Sequence, residues 1–317
     1  MKLMTRQKSG QSYTEHNSHP LITAVITTCR RSPEMVARAL NSVVAQSYDN
    51  LEIILVNDFP EDKRLAAQLA NTCKSFFRPV CYLEMNRNSG ANAARNRGAG
   101  QASGEFLCFL DDDDEWFPNK LSEQLRLFDS ADVAVVYCNT IINIEKKTKE
   151  HVHFTKPMPE GIIYDRLFEK NIIGSTSFPM IRKSAFDESG GFDEGMPAMQ
   201  DLELWLRLTR KYEARYATQP LGKYYFYAGD RISSHADRRI AAYEMICEKH
   251  SGYLKTNKKA KASFNILGVT VYLNGRKFKK AISLWLEACR LFPLEIKRNA
   301  YTACKILIRF FVSPRIV

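Results

Sequence analysis

A chain of 317 residues, 45% of them apolar, is long enough for one large α/β domain with an appendage and too apolar to be disordered over most of its length. The net charge of +11 sits in one place: residues 251–317 hold fourteen Lys or Arg against two Glu, net +12, which leaves the first 250 residues at −1. A nucleic-acid binder would carry its basic charge through the body of the protein, so that class is disfavoured and the tail becomes the basic element.

The first half alternates strand-like and helix-like stretches, the pattern of a parallel α/β sheet. Residues 21–27 read as a buried strand. Ser32, Pro33 and Glu34 then supply a cap, a proline at the first helical position and an early acid, with Met35, Ala37, Leu40, Val43 and Val44 following at helical spacing. A second strand is expected at 51–56, a second helix at 62–77 and a short third strand at 80–83. Residues 91–99 read as a helix closed by Gly100, and 105–110 as a fourth strand that runs straight into Asp111, Asp112, Asp113 and Asp114. Beyond this a helix is expected at 119–128, a strand at 133–139 and an irregular hairpin with a charged tip at 140–159. A short amphipathic helix beginning at Asp201 uses Leu202, Leu204, Trp205 and Leu208, and a last strand occupies 222–227. The C-terminal stretch is helical, and residues 272–293 have the pattern of half a tetratricopeptide-type hairpin, which must pack on something else to bury itself.

Eight scattered cysteines without a CxxC pair, several of them in apolar runs, read as reduced, buried thiols rather than a disulfide frame or a zinc site. No apolar run approaches the ~18 residues of a membrane span, and the first twenty residues lack the apolar core of a secretion signal, so a cytoplasmic protein is expected.

In an open parallel sheet, ligands bind beyond the carboxyl ends of the strands where the topology reverses. Thr27 and Thr28, Asn57 and Asp58, and the aspartates 111–114 all fall at such ends. Carboxylates crowded there repel one another unless a cation neutralises them, and hard oxygen ligands suit Mg²⁺ or Mn²⁺ shared with substrate phosphates. Gly90 opens a helix N-terminus suited to an anion, with Arg87, Arg95 and Arg97 nearby. Asp201 stands where a helix start would hold an ionised general base, or where it would simply cap that helix.

These residues carry a resemblance. Residues 25–31 (VITTCRR), 39–48 (ALNSVVAQSY), 52–58 (EIILVND), 88–96 (NSGANAARN), 104–116 (GEFLCFLDDDDEW) and 200–207 (QDLELWLR) resemble glycosyltransferase family 2 in order and spacing. The resemblance implies a GT-A fold: a Rossmann-like, mostly parallel central sheet flanked by helices, here with a C-terminal helical extension. The expected organisation is a flexible segment at 1–19, a catalytic domain at 20–240 and a basic helical region at 241–317.

By the same resemblance the activity is that of an inverting, non-processive glycosyltransferase. It would move a sugar from a nucleoside-diphosphate sugar, UDP-sugar favoured, to a hydroxyl of a glycan or lipid-linked acceptor in cell-surface polysaccharide synthesis. Thr27, Asp58, Gly90, Arg95 and Asp111 would bind the donor nucleotide, and Asp113 of the DXD motif would hold Mn²⁺ or Mg²⁺. Asp201 would be the catalytic base, with Trp205 on the acceptor side. Asn57 stands where the family often has an aspartate, Gln200 where it often has glutamate, and Ala228 where it often has a histidine; His235, seven residues on, is the candidate to take over metal or phosphate binding there. A non-catalytic carbohydrate-binding protein that keeps the fold is the alternative. The basic, apolar tail is expected either to meet an anionic membrane surface, making the enzyme peripheral on the inner face of the cell membrane, or to pack on the catalytic domain.

Overall fold

The computed structural model describes residues 19–144, 151–152, 157–226, 235–293 and 295–312. Residues 1–18 of the expected N-terminal segment, the charged hairpin tip at 145–150 and Ala228 lie outside the described residues.

The first half follows the sequence pattern closely. Strand β1 (Ile22–Thr28) is followed by helix α1 (Pro33–Val44), whose first turn is closed by Ser32 Oγ accepting from the Met35 amide at 3.4 Å. The inward face of α1 is Val36, Ala39, Leu40, Val43 and Val44, so Met35 and Ala37 lie one position off the face expected of them. Strand β2 (Leu51–Asn57), helix α2 (Lys63–Lys74, capped by Asp62), strand β3 (Val80–Glu84), helix α3 (Ala91–Gln101) and strand β4 (Phe106–Asp111) complete the pattern. Helix α3 runs through Gly100 rather than ending there.

Next come β5 (Glu115–Trp116), α4 (Lys120–Leu125), β6 (Val133–Ile144), β7 (His151–Val152), α5 (Tyr164–Glu169), β8 (Met180–Arg182), α6 (Lys183–Glu188) and α7 (Gln200–Thr209). Strand β9 (Glu213–Phe226) begins nine residues before the strand expected at 222, continuing through Pro220 with shifts of register against β6. Five helices end the chain: α8 (Ala236–Lys249), α9 (Ser251–Thr256), α10 (Lys258–Asn274), α11 (Phe278–Leu291) and α12 (Ile296–Val312).

All the strands join one sheet in the order β3-β2-β1-β4-β8-β6-β9-β5, with β7 beside β6. Strands β3, β2, β1 and β4 are mutually parallel, while β8, β5 and β7 enter antiparallel and β6 pairs β9 in parallel. The chain steps outward from β1 to β3 and then returns to the other side of β1 with β4, which is where a crevice opens. Strands β1, β2 and β4 are buried on both faces over most of their length, the reason for their apolar runs, while β3 at the sheet edge is not. Ile22, Ala24 and Ile26 pack with α1, while Val25, Val56 and Phe109 belong to a second core with α3 and α7. Helix α3 sits tight on the sheet because Gly98 has no side chain: a Cβ there would lie 2.3 Å from Val25 Cγ1.

That second core continues into the C-terminal helices through Tyr164, Phe168, Tyr243, Ile246, Leu254 and Phe264. At its centre His250 is 4% exposed, its Nδ1 2.8 Å from the Tyr164 hydroxyl and its Nε2 without a partner. Burial pushes its pKa from 6.5 down to about 4, so the fold holds it neutral whereas the unfolded chain takes up a proton near 6.5. Its contribution is therefore complete above pH 6.5 and declines as the pH falls through 4, by about 3 kcal/mol in all. Urea titrations between pH 7.5 and 4 should show this loss in the wild type and a flatter profile in His250→Gln.

Candidate active site

The register of the parallel strands brings the sequence motifs together. Thr27 pairs with Asp111 across β1 and β4, and Thr28 with Asn57 across β1 and β2, so three carboxyl-terminal strand ends meet at one edge. A cleft of about 540 Å³ opens there, and Thr27, Asp58, Gly90, Arg95, Asp111, Asp113 and Asp201 all line it.

Asp58, 3% exposed, directs its carboxylate at the loop before α3, where its two oxygens accept from the Ser89 and Gly90 amides, each at 2.8 Å. Burial raises its pKa and these two amides oppose the rise. Gly90 has φ +91°, a conformation that glycine adopts without strain, and it starts α3. Asn57 turns away from the cleft: its Oδ1 accepts from the Phe59 amide and its Nδ2 donates to the Tyr82 hydroxyl.

The four aspartates relieve their mutual repulsion by pointing apart. Asp111 accepts from Arg95 Nη2 at 2.5 Å, and Arg95 is 4% exposed. Of the three arginines near α3, Arg87 and Arg97 are exposed and outside the cleft. Asp112 is 7% exposed, 3.3 Å from Arg31 Nε; burial lifts its pKa to about 7 although Arg31 opposes this. Asp113 lies 3.5 Å from Arg31 Nη2 and keeps part of its carboxylate open to the cleft. Asp114 points inward, fully buried, and its Oδ1 accepts from the Tyr225 amide at 3.1 Å. Burial, reinforced by Asp111 and Asp113, pushes its pKa well above the usual range.

Among the described residues no group of three or more His, Cys, Asp or Glu side chains could by itself hold a metal ion. The chemistry of the cleft still suits a hard divalent cation, because Asp111 and Asp113 present partly open carboxylates on either side of one turn. An ion of that kind accepts one or two protein carboxylates and completes its shell with phosphate oxygens and water.

Asp201 faces the same cleft from α7. The residue at the cap position is Met199, in the left-handed region at φ +54°, so Asp201 lies within the first turn and does not cap the helix. Its Oδ2 accepts from Asn171 Nδ2 at 2.8 Å, and Asn171 is itself held by the Gly174 amide. Burial raises the Asp201 pKa, while the helix amide of Leu202 and the charge of Arg95 favour the ionised form.

Two of the expected site residues lie off the described cleft wall. Trp205 has no exposed surface and does not line the cleft; its indole Nε1 donates to the Gly174 carbonyl at 3.0 Å, so it supports the loop that holds Asn171. His235 is exposed at the start of α8 and is also absent from the cleft wall. One turn further along, Arg239 does reach the cleft. Its Nε is buried without a hydrogen-bond partner, and among the described residues it makes no ion pair. Sequence reasoning also passed over Arg31, Ser175, Thr176, Met199 and Tyr225, which line the cleft. Of these, only Arg31 fell within a recognisable motif.

A Rossmann-like parallel half-sheet, with a cleft at its switch point and an acidic turn beside it, defines a ligand-binding α/β class. The sequence model of glycosyl transferase family 2 matches residues 23–190, and the chain belongs to that family. WcaA of Escherichia coli strain K12, named as a colanic acid biosynthesis glycosyl transferase, is 30% identical over 254 residues, covering 78% of this chain and 84% of WcaA. The uncharacterized glycosyltransferase RT0329 of Rickettsia typhi is 28% identical over 62% of this chain, and the match spans only 61% of that relative's length. The solved structure of residues 1–349 of S. aureus TarS with UDP-GlcNAc has a TM-score of 0.62 at 15% identity, covering 92% of this chain and 89% of that one. A mannosyltransferase from Pyrobaculum calidifontis, solved with GDP-Man and Mn²⁺, has a TM-score of 0.55 at 15% identity, covering 93% and 88%. These two likenesses establish the GT-A fold.

Asp58→Ala should remove the buried carboxylate that accepts from the Ser89 and Gly90 amides and ties their loop to the sheet. A stability loss of ~1–3 kcal/mol, read as a lower thermal midpoint, is the expected result.

Proposed function

We propose that the chain is an inverting glycosyltransferase that moves a sugar from a nucleoside-diphosphate sugar to a hydroxyl of a glycan or lipid-linked acceptor in cell-surface polysaccharide synthesis. The observation that carries this reading is the convergence of Asp58, Gly90, Arg95, Asp111, Asp113 and Asp201 on one cleft from five separate elements and loops. Family membership and the name of the relative WcaA support it.

In this reading Thr27, Asp58 and Gly90 bind the nucleoside, with Asp111 near the ribose and held in place by Arg95. Asp113, assisted by Asp111, would hold Mn²⁺ or Mg²⁺, which when bound supplies Lewis-acid stabilisation of the departing diphosphate. Arg239 supplies a cation to the diphosphate, since Arg31 and Arg95 are already paired with aspartates. Asp201, oriented by Asn171, takes the proton from the acceptor hydroxyl as its oxygen forms the bond to the anomeric carbon. The bond to the diphosphate breaks on the opposite face, so the configuration inverts in one step and no enzyme-linked intermediate forms. A UDP-sugar is the favoured donor; the TarS structure holds UDP-GlcNAc, and the mannosyltransferase structure holds GDP-Man. A lipid-linked acceptor would bring the chain to the inner membrane face.

Thermal shift with a panel of nucleoside diphosphates and their sugars, with and without Mn²⁺, tests the donor site. One nucleotide should stabilise the wild type in a metal-dependent way, and Asp113→Ala should abolish the effect. No stabilisation by any nucleotide would favour a carbohydrate-binding protein that has kept the fold. Once a donor is known, Asp201→Asn should bind it normally yet lower kcat by roughly 10²–10⁴-fold.

A further inference from the structure

Helix α12 is assembled the wrong way round for a helix on a water-facing surface. The side packed against the protein carries Asn299, Thr302 and Ile306, all less than 10% exposed. It is fixed there by Trp285 Nε1 donating to the Asn299 carbonyl at 3.0 Å and by Arg298 Nη1 donating to Ser263 Oγ at 3.1 Å. The opposite side carries Tyr301, Leu307 and Ile308, exposed by 63, 55 and 58%, with Ala300 and Cys304 exposed between them. Positions 300, 301, 304, 307 and 308 fall on one face of an α-helix. An ordinary surface helix buries its apolar stripe and solvates its polar one.

The charges say what would cover that face. None of the 17 residues of α12 is acidic, and four are basic: Lys297, Arg298, Lys305 and Arg309. The Lys305 ammonium sits 4.7 Å from the centre of the Tyr301 ring, at the edge of the apolar face. Neighbouring α11 also exposes Ile282 and Leu286, one turn apart, along with Lys279, Lys280 and Arg290. A second copy of the chain would bring another net +12 region against this one, which the charge opposes. Among the described residues no helix is long and apolar enough to cross a membrane.

We propose that the exposed face of α12 lies in the plane of an anionic lipid bilayer, with Tyr301, Leu307 and Ile308 inserted below the headgroups and Lys305 at its edge on the phosphates. An apolar arc bounded by Lys and Arg on a helix too polar to span is what interfacial binding requires. The inference does not depend on the transferase reading, because vesicle binding is measured without donor or acceptor.

Co-sedimentation of the full chain with phosphatidylcholine vesicles, alone or containing phosphatidylglycerol, tests it. The wild type should partition onto the anionic vesicles and not onto the neutral ones. Leu307→Glu with Ile308→Glu should weaken partitioning by at least about tenfold, and Lys305→Gln by about fivefold. These side chains are solvent-facing, so an unchanged thermal midpoint serves as the control for folding. Equal partitioning of the wild type and the double glutamate variant would overturn the proposal, as would absence of binding to both vesicle types. A wild-type dimer that dissociates in the double variant would overturn it in favour of a second copy on this face. Nucleotide-dependent stabilisation should survive in the double variant, which separates this result from the fate of the donor site.

Discussion

Adjacent carboxyl groups at the end of a buried strand repel one another in a poorly screened setting, and the cleft is organised around how that repulsion is relieved. Direction does the first part: Asp114 turns into the protein, Asp112 is nearly enclosed at the cleft wall, and Asp111 and Asp113 keep the more open surface. Arginines from other elements do the second, with Arg95 of α3 meeting Asp111 and Arg31, just past β1, meeting Asp112 and Asp113. The two outer carboxylates are thus held apart without being fully neutralised, the state in which a divalent cation still gains by joining them. Burial of the middle and last aspartates favours their protonated forms and reduces the negative charge that the turn must otherwise carry.

The elements that bear the site were the most legible in the sequence, and for a physical reason. Strands β1, β2 and β4 are mostly buried on both faces and so appear as apolar runs, each giving way abruptly to polar residues, of which Thr27, Asp58 and Asp111 line the cleft. Helix α1 announced itself through Ser32 and Pro33, whose roles are local. Residues 160–189 yielded no reading, because α5, β8 and α6 are three to six residues long and too short to show a period. Asn171 and Thr176 were overlooked with them. Strand β9 was foreshortened in the sequence because Pro220 and the polar residues before it resemble a loop.

Helix α7 misled in a different way. Its spacing suggested one apolar face and one solvated face, yet Glu203 is wholly buried, held by Arg207 at 2.6 Å and by Lys249 at 2.7 Å. With both faces enclosed, Trp205 had a core to fill rather than a substrate to meet. Lys249 also pairs with Asp193, so one side chain of α8 ties the loop at 190–195 to the helix bearing Asp201. The C-terminal helices are consequently more than an appendage to the sheet, since their packing bears on where α7 sits.

The bonds that shape the cleft span long stretches of chain. Asp114 and Tyr225 are 111 positions apart, Asn92 and Asp193 are 101, and Arg31 and Asp113 are 82. Each loop closure is entropically unfavourable until many such contacts form together, so no early fragment of the polypeptide holds a finished pocket. A ribosome would have to deliver the chain past residue 239 before the last wall of the cleft exists. Occupancy of the cleft by a small molecule would then act on the whole sheet at once, and the stability of the assembled protein would rise with ligand concentration.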